Sequence, residues 1–211
     1  MDKLTLLRQR WRRLLASRGV NESLAERSFA DIAAKYSEPG RFYHNLDHVW
    51  SVLETVDSLA LSVRDFYSVQ MAAWLHDVIY DSKAADNEER SADYARRLFQ
   101  TLSLPPPEHT AELILKTKTH AAEGDPDAVA LLDADLAILG ASESLYDAYA
   151  GQIRQEYAWV PDEEYRMGRS QVLTGFLQRP RIFSLLTPLE PPARDNLQRE
   201  LARLSSRVTN G

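Results

Sequence analysis

Three short stretches of this chain carry side chains suited to a divalent cation: Tyr43-His44-Asn45-Leu46-Asp47-His48, then His76-Asp77, then Asp133-Ala134-Asp135. Three of the five histidines fall in the first two. Each stretch sits in apolar sequence, where an isolated imidazole or carboxylate is costly to bury and a shared cation turns that cost into binding energy. The chemistry such a set could perform is metal-assisted hydrolysis.

The spacing sharpens the roles. His44 and His48 are four residues apart, which on a helix places both on one face roughly 6 Å apart. Alternatively, Asn45 caps the helix and His44 lies just outside it. Either arrangement leaves both near one ion. His76-Asp77 follows Met71-Ala72-Ala73-Trp74-Leu75 and precedes Val78-Ile79-Tyr80, so an apolar turn must compensate an imidazole and a carboxylate together. Asp135 has Leu131 and Leu132 one turn before it and Ile138 and Leu139 one turn after. A carboxylate there shifts its pKa upward or finds a cation. Asp133 lies about 200° round the helix from Asp135, so Asp135 is taken as the ligand and Asp133 as a carboxylate standing behind it.

The elements that must hold these groups read as helices throughout. Nearly every segment has the 3.6-residue apolar period, and none has a run of alternating β-branched residues between turn signals. The fold class is all-α, a helical bundle. A first helix is expected over about Lys3 to Ala16 and a second, capped by Asn21, to about Tyr36. The third carries His48, Val52, Val56 and Leu59 on one side. The fourth, capped by Asp65, is expected to run past His76 to near Asp81, because Val69, Ala73, His76 and Tyr80 keep helical spacing. Asp86 and Glu89 have capping-box spacing ahead of a fifth helix to about Thr101. A sixth spans about Glu108 to His120, and a seventh opens at Asp125-Pro126 and ends at Gly140. Three more are expected at about 142–159, 162–177 and 193–208.

Composition narrows the function classes. At 211 residues the chain favours a single domain, with a core about 43–140 flanked by helices 3–36 and 142–208. A net charge of −6 offers a nucleic-acid backbone no global attraction, so no nucleic-acid partner is expected, and an anionic substrate needs locally placed cations. With no cysteine, any metal must sit among nitrogen and oxygen donors. No stretch reaches the ~20 apolar residues of a membrane span, and Met1 to Arg13 lacks the apolar core of a signal peptide, so a cytoplasmic setting is expected.

The order His48, His76-Asp77, Asp135 resembles the H…HD…D signature of the HD superfamily of metal-dependent phosphohydrolases, over about Tyr43 to Gly140. Tyr43-His44-Asn45-x-x-His48 is similar to the opening motif of cyclic-nucleotide phosphodiesterases, which implies His44 as proton donor and His48 as ligand. Ala134-Asp135-Leu136 resembles the Ala-Asp-Arg-Leu segment of alarmone hydrolases, which supports Asp135 as the fourth ligand. Tyr80-Asp81 and Asp86 to Ala92 are similar to segments of a bacterial HD branch regarded as phosphohydrolases.

The resemblance implies one divalent ion (Mn, Fe, Co, Ni, Mg or Zn) held by His48, His76, Asp77 and Asp135. It implies hydrolysis of a phosphoester or phosphoanhydride in a small molecule, expected to be a nucleotide. Glu88 and Asp81 then become candidates for a base or a supporting carboxylate, with helix capping as their other reading. His120 with Lys116 one turn earlier makes a cationic edge suited to phosphate. Arg154, Arg166 and Arg169 are candidates to clamp an anion, although for any single one of them a solvated helix face is the better account. Two alternatives differ in class. A di-iron oxygenase would need His109 and His120 to converge, yet they are ~16 Å apart on one straight helix, and His109 reads as an exposed helix-start residue. A nucleotide-sensing module would keep the metal without catalysis.

Overall fold

The structure is a computed structural model and describes residues 2–206. Among them there is no strand, and ten α-helices follow in order. They divide into two compact units, residues 1–134 and 135–211.

The first unit holds α1 (Lys3–Ala16), α2 (Glu22–Lys35), α3 (Leu46–Ser58), α4 (Phe66–Leu75), α5 (Asn87–Thr101), α6 (Glu108–Thr117) and most of α7 (Pro126–Leu136). Side-chain caps start the early helices, at Asn21 and Asp65 as expected: Asn21 accepts from Leu24 N and Asp65 from Ser68 N, while Asp2 accepts from Thr5 N and Asn45 from Asp47 N. Leu7, Trp11 and Leu15 form the inner stripe of α1, and Ala25, Phe29 and Ile32 that of α2. The rings of Trp11 and Phe29 meet Trp74 edge-on, at 5.3 and 6.3 Å between centroids. Every residue from Met71 to Leu75 is buried. A helix apolar on all sides belongs at the centre of a bundle, and α4 packs against α3, α5 and α6. Each large side chain buried there contributes ~1.5–3 kcal/mol, which fixes the end of α4 firmly.

That end comes earlier than helical spacing predicts. Instead of running to Asp81, α4 stops at Leu75 with His76 as its C-cap. Continuing the helix would require the carbonyls of Asp77 and Val78 to accept from the chain ahead. Both accept from the guanidinium of Arg41 instead, at 2.6 and 3.0 Å. Downstream, the Ser91 hydroxyl bonds both the N–H and the carbonyl of Ile79, and the Asn87 side chain bonds both those of Asp81. The capping box at Asp86 does not form either, since Asp86 makes no side-chain cap bond. Farther on, α6 ends at Thr117 rather than His120. The His120 N–H reaches back to Lys116 O at 2.9 Å, and His120 itself is left-handed at φ +50°.

The second unit contains the last residues of α7, then α8 (Glu143–Glu156), α9 (Asp162–Gln178) and α10 (Glu190–Ser206). Its core joins Leu136, Leu139, Tyr146, Leu173, Phe183 and Leu197. The last turn before Gly140 tightens to a 3₁₀ turn. Gly140 serves close approach: a Cβ there would stand 2.6 Å from Leu189 Cβ. α8 stops at Glu156, short of Trp159, where Arg154 donates to the Tyr157 and Val160 carbonyls. α10 starts three residues before the expected Ala193, with Pro191 and Pro192 in its first turn. Its expected continuation to Val208 lies outside the described residues.

Candidate metal centre

His48 enters from the first turn of α3, on the face that also buries Val49 and Val52, and is 4% exposed. His76 closes α4 and is 1% exposed, while Asp77 follows on the turn with its side chain 16% exposed. His48 Nε2 lies 3.1 Å from His76 Nε2, His76 Nε2 lies 3.1 Å from Asp77 Oδ2, and His48 Nε2 lies 3.6 Å from the same oxygen. On the other side of the ring, His76 Nδ1 is 3.1 Å from Ala73 O. A carbonyl can only accept, so Nδ1 carries a proton, and in the neutral ring Nε2 then holds its lone pair toward the other two donors.

These three atoms fit one divalent ion. With metal–ligand bonds of ~2.1 Å, neighbouring ligands are ~3.0 Å apart around a six-coordinate ion and ~3.4 Å apart around a tetrahedral one. Two observed edges, both 3.1 Å, fall within that range, and the third, 3.6 Å, lies just beyond the tetrahedral value. Two imidazoles and a carboxylate are donors for first-row divalent metals. Burial works against ionisation of Asp77, but the rings of His76, His44 and His48, in their protonated form, outweigh it and hold the carboxyl well below the usual carboxylate range, a positive charge that a bound cation would supply in place of the ring protons. The carboxylate is therefore ionised, as a ligand must be.

His44 lies just outside α3, immediately before the Asn45 cap, so the second of its two expected placements is the one found. Its half-buried ring stacks on Tyr80 at 4.2 Å and 26°, meets Tyr43 edge-on at 5.1 Å, and lies 5.8 Å from the His48 ring. Stacking leaves the ring edge, with its nitrogens, as the working part. Arg41 was not singled out by sequence reasoning, yet its Nη1 donates to both His44 O and Asp77 O. Only the sequence neighbourhood of the Tyr43–His48 motif could have flagged it, because its partners are 36 and 37 residues away.

The remaining predicted residues have diverse surroundings. Asp133 is buried and Asp135 half-buried, both on α7. Glu88 is half-buried in the first turn of α5. Asp81 is exposed and accepts from Lys83 N at 2.9 Å. Lys116 pairs with Glu123 at 2.8 Å, and His120 is half-buried beyond the end of α6. In the second unit, Arg154 bonds Asp162 at 2.6 Å besides its two carbonyls. Arg166 is half-buried on α9. Arg169 is buried in a two-pronged pair with Glu200, at 2.8 and 3.0 Å. The Tyr146 hydroxyl donates to the same carboxylate, at 2.5 Å.

His109 does stand at the start of α6, as expected, but it is half-buried instead of exposed. Its Nε2 is 2.8 Å from Oδ2 of buried Asp127, and with Asp125 they form a second group of possible ligands, distinct from the first. Sequence reasoning missed Asp127 altogether. Its carboxylate also accepts from the N–H groups of Arg64 (2.5 Å) and Asp65 (3.1 Å), just ahead of α4, so both of its oxygens are already engaged in joining α7 to α4.

Comparison with models of known families, with curated proteins and with solved structures found no match.

Proposed function

We propose that this chain is a metal-dependent phosphohydrolase acting on a small phosphorylated molecule, with nucleotides as the substrate class. The observation that carries the reading is the convergence of His48 Nε2, His76 Nε2 and Asp77 Oδ2 within 3.6 Å of one another. These residues would hold the ion, and Asp135 is proposed from the sequence alone as a further ligand. A bound divalent ion supplies an activated water and neutralises charge developing on phosphorus.

His44 has the role of proton donor to the leaving oxygen. Its ring is held by Tyr80 but is only half-buried, so a substrate can reach its edge. Glu88 is proposed as a base and Asp81 as a supporting carboxylate, while Lys116 and His120 would contact phosphate. A phosphate at Lys116 would compete with Glu123, an exposed partner that is weakly held. Arg154 and Arg169 remain proposals for substrate contact on the sequence argument only, because their bonds within the second unit already account for both.

The test is phosphate release from a panel of nucleotides and simple phosphoesters with Mn²⁺, Ni²⁺ or Mg²⁺, in wild type and His76→Ala. Metal-dependent release that His76→Ala abolishes supports the reading. Nucleotide binding without release under any metal would instead favour a sensing module and defeat the hydrolase.

A further inference from the structure

Arg41 stands outside the donor set, in the loop ahead of α3, yet its side chain is 2% exposed. Nη1 donates to Asp77 O at 2.6 Å and to His44 O at 3.3 Å, and Nη2 donates to Val78 O at 3.0 Å. Nη2 also meets Glu38 Oε2 at 3.3 Å. The rings of Tyr36 and Tyr80 flank the guanidinium, at 5.2 and 5.7 Å from their centroids. Nε has no acceptor. A buried donor left unmatched opposes folding, so the guanidinium is held here by what Nη1 and Nη2 accomplish.

That work is specific to the site. The turn bearing Asp77 lies past the end of α4 and has no helical ladder to hold it, and His44 lies before the start of α3. One planar group spans both segments. A lysine ammonium offers a single point and could not reach, as Nη1 and Nη2 together do, the carbonyls of His44, Asp77 and Val78.

We propose that Arg41 is a positioning residue that holds Asp77 in register with His48 and His76, and His44 in register with all three. The inference rests on the metal-dependent reading above. It predicts a loss in ion affinity beyond any loss of stability, because a ligand displaced by a fraction of an ångström weakens its ion.

The experiment is titration of the metal-free full chain with Mn²⁺ by calorimetry, for wild type, Arg41→Lys, Arg41→Ala and Leu15→Ala. Leu15 is buried in α1 and serves as a control for lost stability. The expected result is a ~10–100-fold weaker Kd in Arg41→Lys, the scale typical of residues that orient metal ligands. Leu15→Ala should keep the wild-type Kd, and added methylguanidinium should restore part of the affinity of Arg41→Ala. If Arg41→Ala does not fold, Arg41→Lys, which keeps the charge and most of the volume, decides alone. Wild-type affinity in Arg41→Lys, or an equal loss in Leu15→Ala, overturns the role of Arg41 and leaves the metal reading intact. No Mn²⁺ binding by the wild type overturns both.

Discussion

His48 and His76 face each other through their Nε2 atoms at 3.1 Å, although they come from different helices and lie 28 residues apart. Because His76 Nδ1 donates to Ala73 O, Nε2 of the neutral ring brings a lone pair to that contact. Two imidazoles so placed, with the Asp77 carboxylate on the same point, suit a cation shared between them.

If His44 donates the proton, its importance depends on the leaving group. His44→Ala should keep the ion yet lower turnover of alkyl phosphoesters by ~10²–10⁴-fold. A nitrophenyl phosphate leaves as a stable anion and should be affected far less. Measuring kcat for both substrates checks this, and an equal loss on both would remove the proton-donor role.

Asp127 should matter for stability and not for the ion. Asp127→Ala strips a buried acceptor from the N–H groups of Arg64 and Asp65 and from His109. The expected loss is about 3 kcal/mol in urea unfolding. At a temperature where the variant is folded, its metal content should match wild type. A lost ion would mean that the two ligand groups are not independent.

Gly140→Ala should destabilise the second unit by ~1–3 kcal/mol, since the new methyl overlaps Leu189 Cβ and its carbonyl oxygen at 2.6 and 2.7 Å. Thermal unfolding followed by near-ultraviolet circular dichroism reads the effect. An unchanged transition would contradict the close approach.

Hydrogen bonds from Arg203 and Arg199 hold the Asp147 carboxyl down at about 2. A carboxyl whose folded value lies below its unfolded value of ~3.9 adds stability above that unfolded value and loses it as pH falls through the folded one. The stability difference between wild type and Asp147→Asn should therefore be level above about pH 5 and shrink toward pH 2. The partial exposure of the pair keeps the difference small. A difference that grows on acidification would contradict the assignment.

The sequence made the all-α class and most helix starts legible because both are local: apolar period and cap residues act within one or two turns. His48, His76 and Asp77 could be singled out for the same reason, since polar groups inside apolar helical stretches announce themselves. Helix ends set by distant partners were not legible. The spacing from Val69 to Tyr80 continues past Leu75, and only the long-range bonds from Arg41 and Ser91 explain why the helix does not. The pairing of His109 with Asp127 was missed for the same reason, because Asp127 is 18 residues away and nothing local points to it.

The central claim is that His48, His76 and Asp77 hold one ion, and metal content measured by mass spectrometry tests it most directly. After loading with Mn²⁺ and exhaustive dialysis, wild type should carry about one ion per chain, while folded His76→Ala and Asp77→Ala should each carry almost none. Stoichiometric metal retained in both variants would contradict the account.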